Sequence, residues 1–531
     1  MMRILPVLSA GAFLCLHIHR SAAAVSVAAA IPFLVFFAIR RPELAKPRAM
    51  NPWGKALCAL TAMGACLWPA GGFAGWLRSI TVFQKVQGFL GSDSALLSQI
   101  AVYVFAAAGL LFAYRMVGLF YERFLSIAGG IVRDFTREEG MLALAVSVLV
   151  IAVAVLVYTR TDAFASPVVT RDLIYTADSG AIVHENAYLS LTAIENDVRS
   201  PLFAVFAAPL TGLPYLLGRV LPFPNAGAAV LVAAQAPLLV ISAFLLMKLI
   251  RDVSRAARPL LPVLLLSTYG SLLFTLTAEQ YVIALFYMSL CLYALLEQGR
   301  REPVLILGAA GTMLPGAALA FLKECKEKKA SAVLKDALKT ALWGLVLLLT
   351  FGGLGVLLRI PDTFVSVSRF TGAGIAFPDR IPQYLSFVGQ CFAAPQAGGF
   401  PAADGYAKWR LSEPGNVSIL GIVLLTLSLL GFLINRKRAV ARISMLWIGV
   451  SFLLLCVLGW GTAEYGLTLY TLYFGWAFLA LLICLVESIC KALKLERFSW
   501  VAYALGAAAM LAYNLPKMAE LVRFAVSQYP L

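Results

Sequence analysis

The sequence predicts an all-α protein, a polytopic bundle of transmembrane helices, and three observations predict it. The first is composition: 61% of the 531 residues are hydrophobic and only 13% are charged, with a mean hydropathy of +0.86. A soluble chain of this length would show far more polar surface. The second is run length. A helix crosses the hydrocarbon with about 20 apolar residues, and such runs recur along the whole chain. They must be helical, because lipid offers no partner to an unpaired backbone group. The third is charge placement. Most of the +16 net charge sits in short loops between apolar runs, as the positive-inside bias requires, so the basic balance calls for no nucleic-acid partner. The nine cysteines contain no CxxC pair, which points to neither a metal cluster nor a disulfide.

The spans follow in order. Met1-Met2-Arg3 and the apolar run to Cys15 have some look of a signal peptide. A second run at 21–39 and the basic cluster Arg40, Arg41, Lys46, Arg48 and Lys55 favour a tight helical hairpin, which leaves the N-terminus cytoplasmic. Spans near 55–75 and 97–120 go out and return to a basic loop at 115–139, and 141–158 goes out again. The run 226–249 crosses back to Lys248, Arg251, Arg255 and Arg258. The stretch 201–222 holds Pro201, Pro209, Pro214 and Pro222 and reads as broken helix at the outer interface. Spans at 259–277 and 281–297 form a hairpin. Residues 303–322 have basic residues at both ends and Pro315-Gly316 inside, the pattern of a re-entrant pair of short helices. Spans at 336–358, 417–435, 443–460, 466–487 and 499–515 complete about thirteen crossings, with the C-terminus outside. Two parts result: a four-helix module at 1–120, and a core at 140–515 that holds the large outer loops 160–225 and 359–416.

Candidate chemistry lies in those outer loops. Residues 160–200 carry six carboxylates, Asp162, Asp172, Asp178, Glu185, Glu195 and Asp197, against three arginines. Asp178-Ser-Gly180 is a turn signature, and residues 181–194, including His184, read as a short helix with Asp178 near its N-terminus, where a capping role is also open. Glu195-Asn-Asp197-Val-Arg199-Ser-Pro201 places acids and a guanidinium before the interfacial stretch. Arg199 there can grip a lipid phosphate bidentately or simply snorkel. Glu279 and Glu464 fall in very short outer turns. The loop 359–416 is rich in Pro and Gly but also in aromatics, so it reads as folded over the outer face, with Arg369 and Arg380 available to a phosphate or a sugar. His17 and His19 lack a third ligand nearby and read as interfacial.

A helix going out, a long first outer loop with an early Asp, and a Pro-Leu-Phe stretch resemble the GT-C glycosyltransferases that use polyprenyl-phosphate sugars, the bacterial mannosyl- and arabinosyltransferases among them. The residues that carry the resemblance are Tyr175-Thr-Ala-Asp178-Ser-Gly180, Asp197-Val-Arg199-Ser-Pro201-Leu-Phe203, the hairpin at 277–303 and the Gly-rich 305–323. The likeness covers about 140–515 and leaves 1–120 without a counterpart. It implies an inverting transferase of the inner (plasma) membrane whose site faces outward. The donor would be a polyprenyl-phosphate sugar and the acceptor a glycan or lipid, with membrane lipids as surroundings. Asp178 matches the family Asp that acts as base or binds a metal, so a divalent cation is the one cofactor the likeness brings in. Beside it, the residues read as substrate contacts are Asp197, Arg199, Glu279, Glu464, His184, Arg369 and Arg380. The protein-mannosylating members have an Asp-Glu pair where this chain has Asp178-Ser179, which argues against a protein acceptor. The rival class is a transporter or lipid flippase, which predicts ionisable residues in mid-span. Here the acids collect in outer loops. An inactive scaffold or sensor with the same fold is the third reading.

Overall fold

The computed structural model describes residues 5–18, 52–67, 70–79, 81–90, 94–165, 173–184, 200–250, 253–299, 303–316, 375–401, 405–413, 416–462 and 466–531, with short pieces between 318 and 372. The described residues are mostly helical, and six helices among them are long and apolar enough to cross a membrane. The chain divides into two compact units, Met1–Asp134 with Ala330–Arg359, and Phe135–Lys329 with Ile360–Leu531.

In the first unit the helices Leu5–Ile18, Pro52–Leu67 and Ala70–Ser79 pack on one long helix, Ser94–Asp134. The Ser9 hydroxyl donates to the Ala108 carbonyl at 2.6 Å and accepts from the Phe112 N–H at 3.0 Å, and Phe13 packs on Phe112 with ring centroids 5.4 Å apart. The basic segment expected as a loop at 115–139 is a continuation of this helix up to Asp134. Only Ala95–Gly118 is apolar enough to span. Hydropathy marks where the membrane ends, whereas a helix with good formers such as Arg, Glu and Leu continues past that point.

The second unit opens with Arg137–Tyr158, started by a capping box between Thr136 and Glu139. It packs along Ala226–Lys248, and Lys248 bonds Glu139 at 2.6 Å. Helices Gln280–Leu296, Ile419–Asn435, Ala439–Ser451 (continued by a π-helical stretch Phe452–Val457) and Thr471–Ala492 form the rest of the bundle, together with Ser499–Gln528. That last helix runs well past the expected 499–515. Its C-terminal residues return to the first turn after Tyr158. The Thr161 hydroxyl donates to the carbonyls of Ala525 and Tyr529 at 2.9 and 2.6 Å.

Two expectations change here. The span expected at 259–277 is two short helices, Leu260–Leu266 and Tyr269–Leu273, broken at Ser267-Thr268. Asn514 on the last helix donates to the Ser267 and Phe392 carbonyls at 3.0 and 2.8 Å and accepts from the Ala394 N–H at 2.8 Å, so the break is stabilised from outside its own element. The stretch 201–222 is helical from Phe203 to Gly218 with a π-helical turn Ala208–Gly212. Its first half is buried in the protein, with Phe203, Ala204, Phe206 and Ala207 inside, while Leu217 and Val220 are exposed. The Leu202 N–H donates to the Gly311 carbonyl at 2.9 Å, and a Cβ on Gly311 would stand 2.6 Å from the Leu202 Cβ, so only glycine lets these backbones meet. Gly311 belongs to Pro303–Thr312, a helix of 10 residues, about 15 Å long and too short to cross the hydrocarbon by itself. The segment 359–416 reads as folded, and its described residues hold the helix Phe377–Gln390 and an antiparallel pair, β1 (Ala397–Pro401) and β2 (Ala407–Leu411), the sheet among the described residues.

Candidate functional site

The Asp178 turn is where separate parts of the second unit converge. Leu173–Ala177 runs alongside β2: the Trp409 N–H donates to the Leu173 carbonyl at 2.8 Å, and the Tyr175 N–H donates to the Trp409 carbonyl at 2.7 Å. Tyr175 takes a positive φ of 55°, which turns the chain toward Asp178. Its buried hydroxyl pairs with the Tyr269 hydroxyl at 2.5 Å and accepts from the Trp409 indole at 3.4 Å. Burial pushes the Tyr175 hydroxyl up to about 12, against the opposing pull of the hydrogen bonds with Tyr269 and Trp409. The Asp178 carbonyl accepts from the Ile182 N–H at 3.0 Å, so Asp178 occupies the N-cap position of the helix Ser179–His184. The far end of that helix is fixed by Tyr215, whose hydroxyl donates to the Val183 carbonyl.

Glu279 meets Asp178 from below this turn. Glu279 is the N-cap of Gln280–Leu296 and is 0% exposed. Its carboxylate accepts from the Gln280 N–H at 3.2 Å and from the Asp178 N–H. Its carbonyl accepts from the Gln235 side-chain amide at 2.8 Å. Next along the helix, the Tyr281 ring packs between Tyr473 and Tyr470, with centroids at 4.7 and 5.9 Å, and the Tyr470 hydroxyl accepts from the Trp460 indole at 2.7 Å. On the other side, Gly466 lies against Thr176: a Cβ there would stand 2.5 Å from the Thr176 Oγ1. Asp178 itself is half-buried.

Of the residues singled out from sequence, Asp178 and Glu279 are thus brought together across 101 positions. His184 is exposed at the end of the short helix. Arg380 serves as a fastener: it donates to the carbonyls of Ile375, Val457 and Gly372 at 3.0, 2.9 and 3.2 Å, tying the start of Phe377–Gln390 to the 457–459 turn. Asp197, Arg199, Arg369 and Glu464 lie outside the described residues. Among the described residues, no group of three or more His, Cys, Asp or Glu is placed to hold a metal ion.

Sequence reasoning missed Gln235, Tyr269, Trp409 and Gly466 as parts of this site. Gln235 carried a signal: it is a lone amide in the apolar run 226–248, and a polar group at such depth needs a partner. Comparison of the chain with protein-family models, with curated proteins and with solved structures gave no match.

Proposed function

We propose that this protein is a GT-C-like membrane glycosyltransferase of about thirteen spans. It would move a sugar from a polyprenyl-phosphate donor to a glycan or lipid acceptor on the outer face of the inner membrane, with inversion. The observation that carries the reading is the convergence at Asp178. One half-buried carboxylate stands on a turn held by β2, by Tyr269, by Glu279 and by the 466 turn. A carboxylate that only solvates a loop has no use for such fixing, whereas a general base needs a defined distance to the proton it removes.

In the proposed reaction, Asp178 takes the proton of an acceptor hydroxyl as its oxygen attacks the anomeric carbon. The new carbon–oxygen bond forms on the face opposite the leaving group. The old bond to the lipid phosphate breaks, and its electron pair leaves on the phosphate. That group needs charge stabilisation more than protonation, a task suited to Arg199. A divalent cation at the site would be held by hard oxygen donors, with Asp178 the first of them.

A transporter is the second reading, and the broken elements favour it. Leu260–Leu273 is interrupted, Pro303–Thr312 is short, and Phe203–Gly218 contains a π-helical turn; discontinuous helices are common in transporters. One assay separates the two. Purified protein in detergent, with no sealed compartment, is given a polyprenyl-phosphate sugar and an acceptor. Transfer under these conditions supports the enzyme. Substrate movement seen only in sealed vesicles and driven by an ion gradient overturns it.

A further inference from the structure

We infer that Glu279 is the positioning residue for Asp178, holding the main chain of the base while standing clear of the substrate. This rests on the reading of Asp178 as general base. Ser, Thr, Asp and Asn are the favoured N-caps, because their short side chains curl back onto the first free N–H groups. Glutamate is too long for that task, and burying its carboxylate costs more than burying a hydroxyl. Glu279 nevertheless caps Gln280–Leu296 at 0% exposure. Its length has a use here: the carboxylate accepts from the Asp178 N–H, on a segment 101 residues earlier.

The holder is itself held. The Gln235 amide, from the middle of Ala226–Lys248, donates to the Glu279 carbonyl at 2.8 Å, and Tyr281 is wedged between Tyr470 and Tyr473. The Asp178 main chain is therefore referred to two helices of the bundle and is independent of the long loop that carries it. A carboxylate whose N–H, carbonyl and following helix are all fixed has little freedom left for its own Cα–Cβ vector. Reaction rates are steep in that placement, with an ångström of error worth roughly 10²-fold.

The test uses the full-length protein in detergent, wild type and the variants Glu279→Gln, Glu279→Asp and Glu279→Ala. Two quantities are read: amide hydrogen exchange across 174–184, and kcat and KM for sugar transfer. Glu279→Gln keeps an acceptor oxygen at the same reach, and it is expected to keep both the protection and most of kcat. Glu279→Asp keeps the charge and is the better cap, but it is one methylene short of the Asp178 N–H. It is expected to lose protection at 174–184 and to drop kcat by about 10–100-fold with KM unchanged. Glu279→Ala should behave as Asp does or worse, and if it fails to fold the Asp and Gln variants decide. Unchanged exchange in Glu279→Asp overturns the inference. So does a raised KM with kcat intact in Glu279→Gln, which would make Glu279 a substrate contact. A wild-type protein that transfers no sugar overturns the reading of Asp178 itself, whatever the exchange shows.

Discussion

The two ends of the second unit are built on different principles. At the end that carries Asp178, hydrogen bonds join residues far apart in the chain. Thr161 bonds Ala525 and Tyr529, Tyr175 bonds Tyr269 and Trp409, Asp178 bonds Glu279, and Asn514 bonds Ala394. Among the described residues at the other end the connections are short, and their cations face solvent: Arg255, Arg258, Arg436, Lys437, Lys491, Lys494 and Arg497 are exposed. The second end is tied across the chain as well, by Lys248 on Glu139 and Ser254 on Ser499, but its turns carry exposed charge where the Asp178 end carries buried hydrogen bonds. The contrast separates two uses of polar residues in one membrane bundle. Buried and bonded, they set geometry; exposed and cationic, they stay solvated. Substitutions at the Asp178 end should therefore act on rate and stability together, while neutralising an exposed cation at the other should leave both nearly unchanged.

The largest effect is expected at the base. Asp178→Asn is nearly isosteric and keeps the backbone contacts of the turn, so the protein should stay folded and membrane-embedded. Transfer should fall by about 10²–10⁴-fold, the usual worth of general-base help. Single-turnover rates on the purified variant check it. Retention of most activity would move the base elsewhere, with Asp197 next.

Trp409→Ala comes second. Its side chain is 7% exposed, packs on Phe524 with centroids 5.2 Å apart and donates to Tyr175. Truncating a buried Trp costs about 3–5 kcal/mol. The thermal midpoint in detergent should drop, and transfer should fall because the 173–178 segment loses its indole support. A stability unchanged by this truncation would show that β2 merely lies over the site, and the contrast between the two ends would weaken.

A smaller and more local effect is expected at Gly466. Alanine there puts a Cβ 2.5 Å from the Thr176 Oγ1, two residues before Asp178, so Thr176 must move. Gly466→Ala should lower kcat by roughly tenfold through displacement of the turn. The double variant Gly466→Ala with Thr176→Ala should recover most of it, since the next Thr176 atom, its Cβ, would be 3.6 Å away, an ordinary contact. Failure of the rescue would mean that the 466 turn acts through something other than Thr176.

Much of this architecture was legible in the sequence, and the reasons for the rest are physical. Helix positions followed from apolar runs, and Asp178 stood out because Asp-Ser-Gly sits in an acid-rich loop. Helix ends were less legible. Ser94–Asp134 runs beyond its apolar stretch Ala95–Gly118 and Ser499–Gln528 beyond the expected 499–515, because hydropathy is silent on where a backbone stops being helical. The break at Ser267-Thr268 was hidden because the partner that stabilises it, Asn514, is 247 residues away. The pairing of Asp178 with Glu279 was hidden for the same reason. Each acid could be singled out from its own surroundings, but their contact depends on how the N-terminus of Gln280–Leu296 seats against the Asp178 turn. The β1–β2 pair was masked by a composition rich in Pro and Gly, which signals turns more strongly than strands.

Asp162 offers the smallest effect and the finest test of whether polar groups at this end are set by burial. It follows Thr161 in the turn tied to the C-terminal residues, and its N–H donates to the Tyr529 carbonyl at 3.3 Å. Burial raises its carboxyl above the usual carboxylate range, partly offset by a hydrogen bond from its own backbone. A raised folded value means that the folded state prefers the protonated acid. Relative to a neutral side chain, the penalty is absent below the unfolded value, near 3.9 for Asp. It grows as pH rises through the folded value and persists at neutrality. Asp162→Asn should therefore raise the thermal midpoint slightly at pH 7 and leave it unchanged near pH 3.5, since the backbone bond to Tyr529 survives the change. Thermal unfolding of both proteins across that range checks it. A gain that is the same at both pH values would trace the effect to packing and remove charge burial as its cause.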